Sequence, residues 1–308
     1  MTGNTKDSKN TKFTKEIAAG LRPQAALFHV LIFVLFVPFV SFVFSAQGPR
    51  RIISLVPAVT EMLFAIGAGP QVIAVSSYDQ DPPEVQKLPR VGALLDPDVE
   101  RILSMKPDLV VTYGSQADLK QQLDRASIGV FDYRHAGLAD ITETMRRLGA
   151  ATGHGSRAEE TASGIERALG RIRERAGTGP RPRTLLVFGR ERGTLRNIYA
   201  SGGRGFLHDM LGVAGGINVF ADVDRESVQV TTEIVLARAP DVILEVRSAD
   251  IVTEAEAARE ARNWAPLASV PAVRNQRVIV LTGKALTVPG PRVAEVAERM
   301  FQALHPSK

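Results

Sequence analysis

The chain carries one sequence pattern twice, and this duplication constrains its fold more than any other feature. The stretch ERILSMKPDLVV begins at Glu100, and EIVLARAPDVIL begins at Glu233. Each copy has a glutamate, aliphatic residues at helical spacing, a Pro-Asp pair and an apolar, β-branched run. This order predicts a helix, a turn and a buried strand. The repeat therefore predicts two equivalent α/β units in one chain.

Short β-rich runs alternate with helical ones on both sides of the repeats. Runs such as RIISL at 51–55 and DVILEV at 241–246 are separated by amphipathic segments, which is typical of a parallel sheet covered by helices. Between the two series, Ser156 and Glu159 are spaced as a capping box for a long helix. The predicted fold class is α/β, with two Rossmann-like lobes of parallel sheet joined by one long bridging helix.

The pattern predicts four regions. They are an N-terminal segment (1–46), an N-terminal lobe (50–137), a helical connection that includes the bridging helix (138–179) and a C-terminal lobe (180–308). In the first region basic residues precede the apolar run 25–46, which is close to the length that spans a bilayer. A cleaved signal and a retained anchor both fit this run. The protein is expected in the periplasm or on the outer face of the cytoplasmic membrane.

Composition and charge exclude several classes of protein. The chain has no cysteine, so disulfides, thiolate metal sites and lipid attachment through cysteine are absent. Residues 1–46 hold three of the five net positive charges, and no block of basic and aromatic residues follows, so no nucleic-acid partner is expected. No nucleotide-binding, serine-hydrolase or zinc-protease motif occurs. We therefore predict no enzyme, no catalytic residues and no cofactor.

Residues that follow the predicted strands are candidates for a binding site. Ligands of open parallel sheets bind beyond the carboxyl ends of the strands, and two facing lobes create a cleft there. Tyrosines and arginines are frequent at these positions, including Arg192, Arg196 and Arg204. The residues predicted to bind the ligand are Tyr78, Tyr113, Arg134, Arg190, Tyr199 and Arg247.

Several separated motifs resemble one known family. RIISLVPAVTEMLFAIGAGPQVIAVSSYDQDPPEVQKLPRVG from Arg51, DVERILSMKPDLVV from Asp98, GGINVF from Gly215 and TTEIVLARAPDVIL from Thr231 are similar to the periplasmic binding proteins for cobalamin and iron complexes. The resemblance covers about residues 50–305. It implies two lobes bridged by a long helix, capture of a metal chelate outside the inner membrane, and its delivery to an ABC importer.

The resemblance also implies a docking role for the repeated glutamates. In that family a surface glutamate on each lobe docks onto arginines of the two permease subunits, and Glu100 and Glu233 are the matching positions. A permease dimer presents two equivalent basic sites, which a duplicated protein meets with two acidic ones. The alternative is that each glutamate only complements its helix N-terminus. The implied partners are the transmembrane permease dimer and one chelate, and the protein is expected to be a monomer.

The chelate itself stays open among cobalamin, a ferric siderophore and haem. In the cobalamin-binding member an aromatic residue matches Tyr78, but tryptophan positions there are Leu94, Tyr113 and Ser227 here, which removes stacking surface. Arginines instead suit carboxylate or catecholate oxygens of anionic siderophores or haem propionates.

The same residues permit other interpretations. Tyr78, Tyr113, His135 or His208 are alternatives for direct iron ligation, although no two stand at ligand-like spacing, and no metal site is predicted. The turn SGGRGFLHDM at 201–210 offers backbone amides to an anionic group. A membrane-anchored ligand sensor, a free-metal-ion carrier of the same fold and an exported hydrolase are the alternative functions.

Overall fold

The computed structural model describes residues 48–247 and 253–306 of the chain. The predicted export segment, 1–46, lies outside the described residues. Within the described part, no helix combines the length and the apolar character needed to cross a membrane. From Gly48 onward the chain forms one unit, in which two consecutive helices connect two sheets.

The first lobe contains a four-stranded parallel sheet in the order β2-β1-β3-β4. Its strands are short, β-branched runs that helices cover on both faces, as expected for a parallel sheet. The strands are β1 (Ile52–Ser54), β2 (Val72–Val75), β3 (Leu109–Tyr113) and β4 (Gly129–Tyr133). The helices are α1 (Pro57–Ala65), α2 (Val99–Ser104) and α3 (Ala117–Arg125).

Two helices follow β4 and lead to the second sheet. They are α4 (Leu138–Thr152) and the bridging helix α5 (Gly155–Gly177). Gly153 ends α4 in the left-handed region at φ 80°, which glycine adopts without steric cost. The 23 residues of α5 extend over about 34 Å at 1.5 Å per residue.

The predicted capping box at the start of α5 is wrong. The helix begins two residues earlier than that box requires, and no side chain caps its N-terminus. The Glu159 carboxylate instead accepts hydrogen bonds from Arg146 on α4, at 2.7 and 3.1 Å, and from Ser163. Glu159 therefore joins α4 to α5 and does not close the first turn of α5.

The second sheet is mixed, whereas the sequence predicted a parallel one. Its order is β10-β9-β5-β6-β8, with β7 paired to β5, and β6 runs antiparallel to β5 and to β8. The strands are β5 (Arg183–Gly189), β6 (Ile198–Ser201), β7 (Ile217–Asn218), β8 (Ser227–Val230), β9 (Val242–Arg247) and β10 (Val278–Thr282). The helices are α6 (Phe206–Val213), α7 (Thr232–Arg238), α8 (Glu254–Arg262), α9 (Pro271–Arg274) and α10 (Val293–Leu304).

One apolar core runs through both lobes. It includes Met62 on α1, Ile141 on α4, Leu169 on α5, Met210 on α6 and Met300 on α10, all less than a tenth exposed. Each sheet also has a separate cluster on its outer face. Because α4 and α5 contribute to the shared core, the connecting helices are part of the folded body that fixes how the lobes meet.

The two copies of the repeated sequence adopt the same local structure. After α2 and α7, Lys106 and Ala239 both take left-handed backbone angles, with φ of 46° and 44°. The following aspartates then bind the start of a neighbouring strand. Asp108 accepts hydrogen bonds from the backbone N–H groups of Arg50 and Arg51, at 2.8 and 2.9 Å, and Asp241 accepts one from that of Arg183, at 3.0 Å.

An arginine closes each unit in the same way. The Arg51 guanidinium donates to the carbonyl oxygen of Met105 at 2.7 Å, and that of Arg183 donates to the carbonyl oxygen of Arg238 at 2.8 Å. These oxygens belong to the ends of α2 and α7, which otherwise leave their last carbonyls without partners. The predicted helix-turn-strand repeat is therefore present in both sequence and structure.

Candidate functional site

The carboxyl ends of strands in both lobes border a cleft that contains two adjoining cavities. The first, here the Tyr78 cavity, has a volume of about 160 Å³ and the second, the His135 cavity, about 240 Å³. Thr287 lines both, so the cavities meet there. The Tyr78 cavity is lined by Pro57, Glu61, Tyr78, Gln80 and Asp81 of the first lobe and by Lys284, Thr287, Val288 and Arg292 of the second. The His135 cavity is lined by His135 of the first lobe and by Phe188, Arg204, Gly205, Phe206, Leu207, Glu226, Ser227 and Thr287 of the second.

A short turn presents Tyr78 to its cavity. The Asp79 carboxylate accepts hydrogen bonds from the N–H and the hydroxyl of Ser76, at 2.9 and 2.6 Å. Arg90 donates to the carbonyl oxygens of Ser76 and Asp79, which holds the turn from the other side. Burial raises the pKa of Asp79, whereas the hydrogen bonds from Ser76 oppose that shift. The Tyr78 side chain stays 71% exposed on this fixed turn.

An ion pair between the lobes lies beside the Tyr78 cavity. Arg292, which precedes α10, donates to both carboxylate oxygens of Glu61 on α1, at 3.0 and 2.7 Å, and to Asp81 at 3.3 Å. Burial raises the pKa of Glu61, whereas the hydrogen bonds and charge of Arg292 oppose that shift. This contact connects two residues that are 231 positions apart in sequence.

Four aromatic rings form a continuous series from the first lobe to the second. The ring centroids of Tyr113 and Tyr133 are 5.8 Å apart, those of Tyr133 and His135 6.3 Å, and those of His135 and Phe206 5.2 Å. Burial raises the pKa of Tyr133 and lowers that of His135. Tyr113 is thus connected through Tyr133 to His135 at the cleft, but it lines neither cavity.

Arg134 and Tyr199 both lie at the surface, and neither lines either cavity. The Arg134 side chain is 80% exposed and pairs with Asp132 at 3.4 Å. Tyr199 on β6 is 41% exposed, and its neighbours Ile198 and Ala200 point into the outer cluster of the second sheet. Since side chains alternate along a strand, Tyr199 lies on the opposite face from that cluster.

Arg190 and Arg247 occupy a buried ion-pair cluster at the carboxyl ends of β5 and β9. The guanidinium of Arg190, which has no exposed side-chain surface, lies 3.0 Å from Glu245 and 2.8 Å from Glu260. Arg247 donates to Glu245 at 2.6 Å, and the indole N–H of Trp264 donates to the same carboxylate at 3.2 Å. The Arg190 side chain lines neither cavity. The cluster gives both arginines a structural role that the sequence did not predict, because the partners of Arg190 are distant in the chain.

His208 is separated from the tyrosines that sequence analysis grouped with it as alternative metal ligands. It lies within hydrogen-bonding distance of the Asn218 amide, at 3.3 Å, and lines a groove of about 510 Å³ between α4, α5 and α6. This groove is larger than either cleft cavity, but it is not bordered by strand ends. Among the described residues, no group of three or more histidines, aspartates and glutamates is placed to hold a metal ion.

Glu100 and Glu233 occupy equivalent exposed positions in the first turns of α2 and α7. Asp98 and Thr231, two residues earlier in each copy, cap these helices through side-chain oxygens. The hydrogen bond with the Thr231 side chain lowers the pKa of Glu233. Within residues 48–247 and 253–306, no cation forms an ion pair with either glutamate.

Comparison with known proteins decides the family. The family described as periplasmic binding protein matches residues 52–285 of the sequence. The chain belongs to this family. It is 31% identical over 258 residues to a vitamin B12-binding protein of Pectobacterium carotovorum subsp. carotovorum, covering 83% of this chain and 88% of that protein. An uncharacterized ABC transporter substrate-binding lipoprotein of Bacillus subtilis, YvrC, is 30% identical over 265 residues, covering 84% and 81% of the two chains.

Solved structures support the same assignment. The periplasmic vitamin B12 binding protein BtuF of Vibrio cholerae superimposes with a TM-score of 0.71 at 26% identity, covering 83% of this chain and 97% of that one. The periplasmic haem-binding protein RhuT from Roseiflexus sp. RS-1 gives a TM-score of 0.67 at 26% identity, covering 83% and 99%. The predicted family and its two-lobe α/β fold are confirmed. Members of this periplasmic binding protein family are transport components, so the chain is not an enzyme.

Several residues of the cleft were missed by sequence reasoning. Phe206, Glu226, Thr287 and Arg292 line its cavities. Thr287 and Arg292 follow β10, so the rule that ligands lie beyond strand ends could have included them. Glu226 precedes a strand that the sequence pattern did not reveal.

Proposed function

We propose that this protein is the extracytoplasmic solute-binding protein of an ABC importer that captures a metal chelate between its lobes. The chelate is cobalamin or an iron complex, either a ferric siderophore or haem. The observation that carries this proposal is the cleft itself, in which both lobes line two adjoining cavities at the carboxyl ends of their strands. The proposed lobes are residues 50–137 and 180–308, with 138–179 as the connection.

The chemistry of the cleft suits a large ligand with an apolar face and polar edges. Tyr78 offers an exposed aromatic ring on a fixed turn, and such a ring stacks well on a planar macrocycle. Arg134 supplies an exposed guanidinium at the rim of the first lobe. The proposed contact residues are Tyr78, Tyr113, Arg134 and Tyr199, while Arg190 and Arg247 support the cleft from the buried cluster.

Names of similar proteins add to this argument. The relatives include proteins named for binding vitamin B12 and haem, and a structure described as an Fe³⁺-hydroxamate transport system has the same fold. All of these ligands are metal chelates. These ligands differ in net charge, so the choice among them depends on the residues of this chain.

Delivery to a permease is the second half of the proposal. Glu100 and Glu233 are exposed, unpaired with cations in the described structure, and presented by equivalent helices. Two such carboxylates suit a transmembrane dimer that offers one basic site per subunit. The binding protein itself is proposed to act as a monomer.

The proposed location is the periplasm or the outer face of the cytoplasmic membrane. Relatives are described as periplasmic proteins or lipoproteins. This chain has no cysteine, so the basic and apolar segment at 1–46 would export or anchor it without a lipidated cysteine.

A ligand panel tests the proposal. Purified protein is titrated in a calorimeter with cyanocobalamin, haemin and a ferric hydroxamate, and visible absorbance is followed in parallel. We expect saturable one-to-one binding of at least one chelate with a Kd at or below about 1 μM, the affinity of a specific complex. Absence of binding by all three, with the protein folded, would contradict the proposal.

A further inference from the structure

The His135 cavity differs chemically from the rest of the cleft because it combines hydrogen-bond donors with a free acceptor. His135 follows β4, and its ring lies between Tyr133 of its own lobe and Phe206 of the other. Both nitrogen atoms of this ring are buried, and neither has a hydrogen-bond partner among the described residues. Buried polar atoms nearly always have hydrogen-bond partners, so these two nitrogens are candidates to bind a polar group of the ligand.

The protonation state of His135 determines what that partner must offer. Burial lowers the pKa of His135, while the carboxylates of Glu226, Asp140 and Asp209 act in the opposite direction. The imidazole is therefore neutral at neutral pH. A neutral imidazole has one N–H donor and one acceptor nitrogen, so a complementary ligand group both accepts and donates hydrogen bonds.

Only one of the three acidic groups near His135 is available to a ligand. Asp140 accepts hydrogen bonds from the backbone N–H groups of Ala136 and Gly137, and Asp209 accepts one from that of Leu138. The Glu226 carboxylate has no hydrogen bond or ion pair within the described residues. The Glu226 side chain lies against Gly205 at the wall of the cavity. The Glu226 carboxylate can therefore accept a hydrogen bond from a donor group of the ligand.

Arg204 is a cation that lines the same cavity. The Arg204 side chain is 61% exposed, and its nearest ion-pair partner, Asp224, lies 3.5 Å away and is 91% exposed. This weak surface pair leaves guanidinium N–H groups available to a ligand oxygen. Ser227 adds a hydroxyl that can donate or accept.

We infer that the His135 cavity is a subsite for an uncharged arm of the bound chelate, a primary carboxamide, and that Glu226 disfavours a carboxylate arm at the same place. This inference rests on the proposed function. A carboxamide oxygen accepts from Arg204 or His135, and its NH₂ group donates to Glu226. A carboxylate has no donor for Glu226 and adds a like charge beside it. The subsite therefore favours a ligand rich in carboxamide arms over one with carboxylates.

Matched corrinoids test the inference. Cyanocobalamin is compared by calorimetry with its monocarboxylic acids, in which one peripheral carboxamide has been hydrolysed, each regioisomer separately. We expect wild-type protein to bind at least one regioisomer about tenfold or more weakly than cyanocobalamin, because a lost hydrogen bond to a charged group is added to like-charge repulsion. In Glu226→Gln that discrimination should fall to about threefold or less, since glutamine donates to the carboxylate.

Two further variants separate this subsite from general effects. His135→Phe keeps the aromatic contacts but removes both nitrogens, and it should weaken cyanocobalamin binding by about fivefold to tenfold. Glu174→Gln, an exposed change on α5, is the matched control and should leave all affinities unchanged. Thermal unfolding confirms that each variant is folded.

The outcomes are distinguishable. Equal affinity for cyanocobalamin and all its acids, or discrimination that persists in Glu226→Gln, would overturn the carboxamide subsite. Binding of haemin or the ferric hydroxamate without any corrinoid would also overturn it, but would leave the proposed function standing. Failure of every chelate to bind would contradict both.

Discussion

The guanidinium of Arg292 spans the junction between the lobes and donates hydrogen bonds to both carboxylate oxygens of Glu61, at 3.0 and 2.7 Å. The Glu61 side chain is only 9% exposed, whereas that of Arg292 is 32% exposed. Removal of the arginine would leave a nearly buried carboxylate without its cation, which is more costly than loss of a surface pair.

Arg292→Ala is therefore expected to destabilise the protein by about 2 kcal/mol, below the range for a fully buried pair because Arg292 is partly exposed. Urea unfolding followed by circular dichroism measures this change. Arg171→Ala, an exposed substitution on α5, is the control and should change stability little. Equal stability of the two variants would show that the Glu61 contact does not hold the lobes together.

Arg190→Ala should be destabilising by about 3 kcal/mol, because it leaves the fully buried Glu245 with only one of its two arginines. Arg192→Ala is the matched control, since Arg192 is half-exposed and pairs at the surface with Glu256. Chemical unfolding gives both values. If Arg190→Ala retained full stability but lost chelate binding, Arg190 would be a ligand contact, as its position in the sequence suggested.

Acid stability should depend on Glu159. Hydrogen bonds from Arg146 lower the pKa of Glu159 from 4.5 to about 2. A lowered pKa in the folded state contributes stability above pH 4.5 that is lost as the pH falls towards 2. In Glu159→Gln, stability should therefore change less over this interval than in the wild type. The effect should shrink in high salt, because the group is exposed. Unfolding curves measured at several pH values test this. If the free energy of unfolding depended on pH equally in the variant and the wild type, Glu159 would make no such contribution.

Tyr78→Ala is expected to weaken binding of the cognate chelate by about tenfold, because one exposed aromatic ring leaves the cleft. Tyr78→Phe should stay within about twofold of the wild type, since the stacking ring remains. Calorimetry with the chelate identified by the panel gives both affinities. Similar loss in the two variants would instead point to the phenolic oxygen as the group that contacts the ligand.

The docking proposal predicts a separation of transport from binding. With the partner importer reconstituted in vesicles, Glu100→Arg combined with Glu233→Arg should abolish stimulation of ATP hydrolysis, because each reversed charge faces a basic site. Chelate affinity should be unchanged. Glu174→Arg serves as the control for a charge reversal elsewhere on the surface. Loss of chelate binding in the double variant would relocate these residues to the cleft.

Local sequence signals predicted much of the fold. The helix-turn-strand units around Glu100 and Glu233 were predictable because helical spacing, the Pro-Asp pair and the apolar run all lie within a dozen residues. β6 and β8 were not, because each has only four residues, and β8 is largely exposed. Short strands of this kind depend on their neighbours in the sheet more than on their own pattern.

The site was less predictable than the fold. Positions after strands led to Tyr78, and the choice of possible iron ligands led to His135; both line the cleft. The same rule led to Arg190, but its partners Glu245 and Glu260 are 55 and 70 residues away, and no local pattern reveals that they bury it. The contact between His135 and Phe206 likewise joins two lobes and has no signature in either segment.

The matched contacts of Asp108 and Asp241 lie at the amino ends of the strands, away from the cleft, and the two halves of the molecule make the same kind of contact there. In the cleft the halves have diverged, with Tyr78 and His135 on one side and Arg204, Phe206 and Glu226 on the other. In the proposed function, the two matched helix-turn-strand units would meet a twofold membrane partner. The unlike inner walls would hold a ligand that has no symmetry. One duplicated fold would therefore serve both a symmetric partner and an asymmetric ligand.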